Sequence, residues 1–188
     1  MDLAAAICPP FDVISAEQQR DLHARSPHNA IHVELADNSD GRRYQRSAEM
    51  FARWLADGIL RKDDVAGFYV YGQPFALEGK QYTRRSVFAR VRLEPWERGV
   101  VVPHEQTFGA PKEDRLKLLR ATRVNGSPVF LIHRDSAGHL SDLLDSAPKR
   151  AAAPPFVSDD GQMHGLAIID EPDAAAAITA AFSDQTLY

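Results

Sequence analysis

Residues 67–77 and 81–94 are two strand-like stretches flanking Glu78-Gly79-Lys80, and no other feature restricts the possible folds as much. Strand-forming runs separated by a short glycine-containing turn predict an antiparallel hairpin, which needs a partner to cover one face. In the second stretch Val87, Ala89, Val91 and Leu93 alternate with a side holding Arg84, Ser86, Arg90 and Arg92. That period of two puts apolar residues on one face and cations on the other. Pro74 has no amide hydrogen to give to a ladder, so a bulge or an edge is expected there. A second hairpin is expected from 156–158 and 163–169 around Asp159-Asp160-Gly161.

Helices are expected between and beyond these strands. Ser15, followed by Glu17 and Gln18, fits a cap opening a short helix that Ser26-Pro27 ends. From 42 to 60, Tyr44, Ala48, Phe51, Leu55 and Ile59 recur at three- and four-residue steps, with Trp54 widening the stripe. Further helices are expected at 112–125, with Pro111 at its start and Asn125-Gly126 at its end, at 140–144, and from Pro172 to about Phe182. Residues 30–35 and 128–132 read as strands, the second of them buried. No regular strand-helix-strand rhythm appears, so the fold class is α+β, with a mixed or mainly antiparallel sheet and packed helices. Two parts are expected: an α+β domain over 1–146, then a connection, hairpin and helix over 147–188.

The 22 Lys and Arg against 26 Asp and Glu give a net charge of -4, which disfavours a protein coating nucleic acid over its whole surface. No apolar run approaches the roughly 20 residues of a membrane-spanning helix. The single cysteine, Cys8, excludes an internal disulfide, and a cytoplasmic protein is expected. Beside Pro9 and Pro10, this thiol reads as a packed residue rather than a nucleophile.

Against that acidic background, residues 104–125 hold five Lys or Arg and three acids, Glu105, Glu113 and Asp114, a local charge of +2. A His104-Glu105 pair precedes a Gly-Ala-Pro turn and a helix bearing Lys112, Arg115, Lys117, Arg120 and Arg123. His and Glu move protons and cations near a helix start hold phosphate, so the chemistry suggested is phosphate-centred. At 100° per residue, Lys112, Arg115, Arg120 and Arg123 share one arc with Leu116 and Leu119. The expectation is that some of these cations converge with ionised Glu105 on a hollow. An equal alternative is neutralisation by Glu113 and Asp114 in surface pairs of about 0.2–1 kcal/mol. Glu105 is the better proton acceptor, since neighbouring cations keep it ionised.

The seven histidines include no HExxH, and no P-loop or dinucleotide motif is present, so no metal site is expected. Asp12 and Asn29 are either ligand-holding or capping residues, with capping favoured for both.

The segments PPFDVIS (9–15), SPHNAIHVEL (26–35), YTRRSVFARVRLE (82–94) and PHEQTFGAPKEDRLKLLRATRVNGSPVF (103–130) resemble the family known as domain of unknown function 1015. The resemblance runs over nearly the whole chain. It implies kinship with free-serine kinases and the partition-protein and sulfiredoxin group, carried by a DGHHR motif that this sequence lacks. On that basis the chain is expected to be a fragment of a nucleotide-dependent small-molecule kinase, taking ADP or ATP with magnesium. His104, Glu105, Lys112, Asp114, Arg115, Arg120, Thr122 and Asn125 match the signature segment, and Asp12 and Asn29 match the opening motifs. Glu105 would accept a substrate hydroxyl proton while Arg115 and Arg120 steady the phosphate. The competing expectations are a non-catalytic nucleotide- or anion-binding regulatory module, and a truncated product that forms a homodimer through exposed apolar surface.

Overall fold

The computed structural model describes residues 2–103, 109–183 and 185–188. The chain divides into two compact units that interleave in sequence, Met1–Lys62 with Glu105–Val129, and Asp63–His104 with Phe130–Tyr188. Residue 146 falls inside the second.

In the first unit, α1 (Leu3–Ala6) is capped by the Asp2 carboxylate, and a single 3-10 turn follows at Phe11–Val13. The Ser15 side chain caps α2 (Ala16–Arg25) by accepting from the Gln18 amide at 3.2 Å, and the Gln18 carboxamide oxygen accepts from the Ser15 amide at 2.9 Å. This reciprocal pair satisfies two otherwise orphaned donors, as the sequence predicts.

Residues 30–35 do not form the expected strand. The Asn29 side chain accepts from the Ile31 amide at 3.0 Å, and the chain turns at once into α3 (Ile31–Glu34). The strand preference of Ile31 and Val33 is overruled by this local bond and by complete burial of Ile31.

Helix α4 (Arg43–Ala56) falls where expected, with its buried stripe rotated from the expected one. Ser47 and Trp54 are buried, whereas Leu55 is 44% exposed. A polar residue in the core line hid its position. Helix α5 (Gly109–Thr122) starts before Pro111 and stops at Thr122 rather than at Asn125-Gly126. The Thr122 hydroxyl accepts from the Val124 amide at 3.2 Å, and Arg123 takes φ 60°, a turn usually left to Gly or Asn.

The second unit contains an open, five-stranded antiparallel sheet. Strands β1 (Phe68–Leu77) and β2 (Lys80–Phe88) make the expected hairpin, closed by two residues, Glu78 at φ 51° and Gly79 at φ 76°. Two successive positive φ values match the right-handed strand twist. Pro74 stays in register opposite Thr83, beyond the stretch of β1 paired with the strand on its other side, so it marks an edge and not a bulge. The second strand ends at Phe88, six residues short of expectation, and Leu93 is 95% exposed.

Helix α6 (His139–Ser146), β3 (Arg150–Ala151), β4 (Phe156–Val157), β5 (Met163–Ile169) and α7 (Pro172–Ser183) complete the unit. The β4–β5 pairing is the expected second hairpin, and β5 also joins β1 and β3. Ile169 and Ile178 are fully buried with Leu140 and Leu144, and Phe68, Val70 and Val87 pack against them. Residues 128–132 are not a buried strand: Val129 is 74% and Phe130 64% exposed. At its end this segment exchanges two backbone hydrogen bonds of 2.8 Å between Ile132 and Tyr188.

Candidate functional site

Helix α5 has two distinct faces. Asp114, Arg115, Leu118 and Thr122 are drawn inward, while Lys112, Leu116, Leu119 and Arg120 are exposed, as is Arg123 just past the helix end. The single cationic arc expected from the sequence is therefore split: Arg115 belongs to the inner side.

Around it forms a charge network within the first unit. The Arg115 guanidinium donates to an Asp114 oxygen at 2.6 Å and also to the Glu34 carboxylate, and it stacks 3.8 Å from the centre of the Phe11 ring. Arg43 donates to the other Asp114 oxygen, which accepts as well from the Tyr44 hydroxyl at 2.8 Å. The Ser127 hydroxyl donates to Glu34 at 3.0 Å. Two guanidiniums thus face two carboxylates, all four side chains only 14–22% exposed. Burial alone would raise the Asp114 pKa, but hydrogen bonds from Arg115 and Tyr44 and the charges of Arg43 and Arg115 outweigh it and lower it.

This network is balanced, so Arg115 has no net positive charge left for a phosphate. Lys117 is neutralised too, by Glu113 at 2.8 Å in a surface pair. Lys112, Arg120 and Arg123 make no ion pair among the described residues. They flank Leu116 and Leu119, 43% and 40% exposed.

Asn29 is wholly buried and spends its polar atoms on the backbone. Its amide group donates to the Ala5 and Ile7 carbonyls, both at 2.8 Å, and its oxygen accepts from Ile31. It pins the opening segment to α3 and has no donor to spare for a ligand. Asp12 and Asn125 are exposed and make no hydrogen bond among the described residues, so Asp12 does not cap the turn it lies in. His104 and Glu105, the expected acid-base residues, lie outside the described residues. Burial, with the Glu34 charge behind it, pushes the Cys8 thiol up to about 11, which suits a packed residue and not a nucleophile.

Cavities are lined by residues of each unit. One of about 240 Å³ is bordered by His23, His32, Asp37, Arg46, Glu49 and Arg53, and another of about 170 Å³ by Arg134, Asp135, His139 and Gln185. None of the described residues expected at the site lines either of these two cavities. Asp114 and Glu34 give their oxygens to Arg43, Arg115, Tyr44 and Ser127 and form no seat for magnesium. No group of three or more His, Cys, Asp or Glu among the described residues is arranged to hold a metal ion.

Glu34, Arg43, Tyr44 and Ser127 were not evident as site residues from the sequence. Tyr44 counted only as part of an apolar stripe, and Glu34 was hidden by the strand reading. The network joins two of the four segments that resemble the family, since Glu34 lies in SPHNAIHVEL and Asp114, Arg115 and Ser127 lie in the longest one. A family model described as Protein of unknown function (DUF1015) matches residues 1–188. The chain belongs to this family. No curated protein and no solved structure matches it. For this DUF1015 chain, no helix among the described residues is long and apolar enough to cross a membrane.

Proposed function

We propose that this chain binds the phosphates of a nucleotide on the exposed face of α5 and contributes to phosphoryl transfer to a small hydroxyl compound. The observation that carries this reading is the set of three exposed cations, Lys112, Arg120 and Arg123, with no acid paired to them among the described residues. Unneutralised cations along a helix and just past its end attract a polyanion, and the exposed Leu116 and Leu119 supply apolar surface for a base. Arg115 holds α5 in place instead of touching phosphate. Glu105 is the proposed proton acceptor, on the strength of its place in the signature segment. Magnesium would arrive with the nucleotide.

A second reading is favoured by the balanced charges of Arg43 and Arg115: a nucleotide- or anion-binding regulatory module without catalysis. Transfer needs cations aimed at the moving phosphoryl group, and the half-buried guanidiniums are already matched. Calorimetric titration with ADP and ATP tests the binding face. Replacing Lys112, Arg120 and Arg123 by Ala together should weaken binding at least tenfold, about 1.4 kcal/mol, with the melting temperature unchanged. Equal affinity in the triple variant, or no binding by the parent chain, rejects the binding face. A coupled assay with serine and ADP or ATP then separates the readings, because turnover that falls in Glu105→Gln supports transfer and binding without turnover supports the module.

A further inference from the structure

His23 on α2 and His32 on α3 meet edge to face, with their Nδ1 atoms 3.1 Å apart. The opposite nitrogen of each ring is committed to a backbone oxygen. His23 Nε2 lies 2.9 Å from the Leu35 carbonyl and His32 Nε2 lies 3.0 Å from the Ser26 carbonyl. A carbonyl oxygen only accepts, so both Nε2 atoms must carry hydrogen. Two neutral rings would then point bare Nδ1 lone pairs at each other. Two imidazolium rings would oppose two N–H groups and two positive charges. One added proton between the rings is the arrangement that turns the contact into a hydrogen bond.

The geometry points to a proton latch: His23 and His32 together hold a single shared proton, and that proton ties α2 to α3. The surroundings fit one positive charge and oppose two. His28 stands beside His32, and both rings lie against buried Trp54. From α4 the cavity at the pair receives Arg46, Glu49 and Arg53, and from the loop before it Asp37, which Arg46 already pairs at 3.1 Å. Burial lowers the pKa of His32, the Ser26 carbonyl works against that, and the charges of His23 and His28 add to the lowering.

The protons belong to the pair and leave in two steps. An unfolded chain takes one proton on each ring near the ordinary value of about 6.5. The folded pair resists the second, so the unfolded state binds more protons in acid and stability falls as pH drops. As pH rises the shared proton departs, the lone pairs confront each other, and the latch is lost from that side as well. Opening it would free the end of α3, where the Leu35 carbonyl also accepts from Gln19 at 2.8 Å and where Glu34 receives Arg115. A change of one proton would thereby reach the charge network of α5.

Nitrogen-15 NMR of the imidazole rings, on the full chain dialysed against EDTA and titrated from about pH 8.5 to 5, tests the latch. The expected result is uptake of one proton by the pair instead of two, with hydrogen on both Nε2 atoms throughout and a coupling across the Nδ1 contact. In His32→Gln, the coupling across the Nδ1 contact should be lost. Independent uptake by each ring near 6.5, an Nε2 without hydrogen, or signals that return only with added zinc would overturn it. The parent titration decides alone should the variant fail to fold.

Discussion

Each compact unit hides a few side chains completely, and the two units choose different ones. In the first, Asn29 and Ser47 are as buried as Ile31, whereas in the second the fully buried side chains are Ile169 and Ile178. Around Asn29 three hydrogen bonds fix the path of the backbone, and around Arg115 two carboxylates fix a helix face. Hydrogen bonds reward direction, and apolar burial rewards area. The first unit thus adds the directed hydrogen bonds of Asn29 and Arg115 to an apolar core of Leu22, Ile31, Trp54 and Leu118, whereas the completely buried side chains of the second are apolar. Such a division predicts different responses to the same kind of damage.

The largest effect should come from Ile178→Ala, which empties a fully buried site and should cost about 2–5 kcal/mol in urea denaturation, with faster hydrogen exchange in β5 and α7. If exchange quickens equally in α2 and α3, the units do not respond separately and the contrast collapses. Next, Asn29→Ala strands two carbonyls and an amide, with an expected loss of about 1–3 kcal/mol and faster exchange at Ile31, while the β1–β5 ladder stays protected. A variant as stable as the parent would mean that hydrogen bonding does not govern the first unit. The smallest effect is on acidification. Asp114 has a lowered pKa, so its contribution is present above the unfolded carboxylate value of about 3.9 and is lost as pH falls through the folded value. Melting curves collected downward from about pH 5 should therefore show a fall in stability that Asp114→Asn lacks.

The sheet was largely legible. Alternation and turn residues located β1, β2, β4 and β5, because a period of two and a positive-φ turn are local properties. Their limits were not: residues 89–93 continue the alternation of β2, yet among the described residues no strand pairs with them, and alternation cannot report a missing partner. The helical unit was harder. Ser15 and Gln18 announced α2, but α3 depends on one Asn29 side chain overruling Ile31 and Val33. At the candidate site, the enriched charge of 104–125 is plain in the sequence, while the sorting of its cations is not. Arg115 turns inward because Glu34 and Asp114 await it, and Glu34 is 81 residues away in sequence. His23 and His32, nine apart, come together only because α3 is helical.

The outer side of β2 has a further consequence. This strand ends the sheet path and, among the described residues, pairs with β1 alone, so a row of its backbone groups stays open to other chains. Exposed Lys80 and Arg84 stand along it, and Arg84 lies 5.8 Å from the centre of the Phe75 ring. A charged fringe repels an approaching copy before backbone pairing can begin. Colloidal behaviour at high concentration, and resistance to fibril growth, would then rest on two cations that contribute nothing to the buried core.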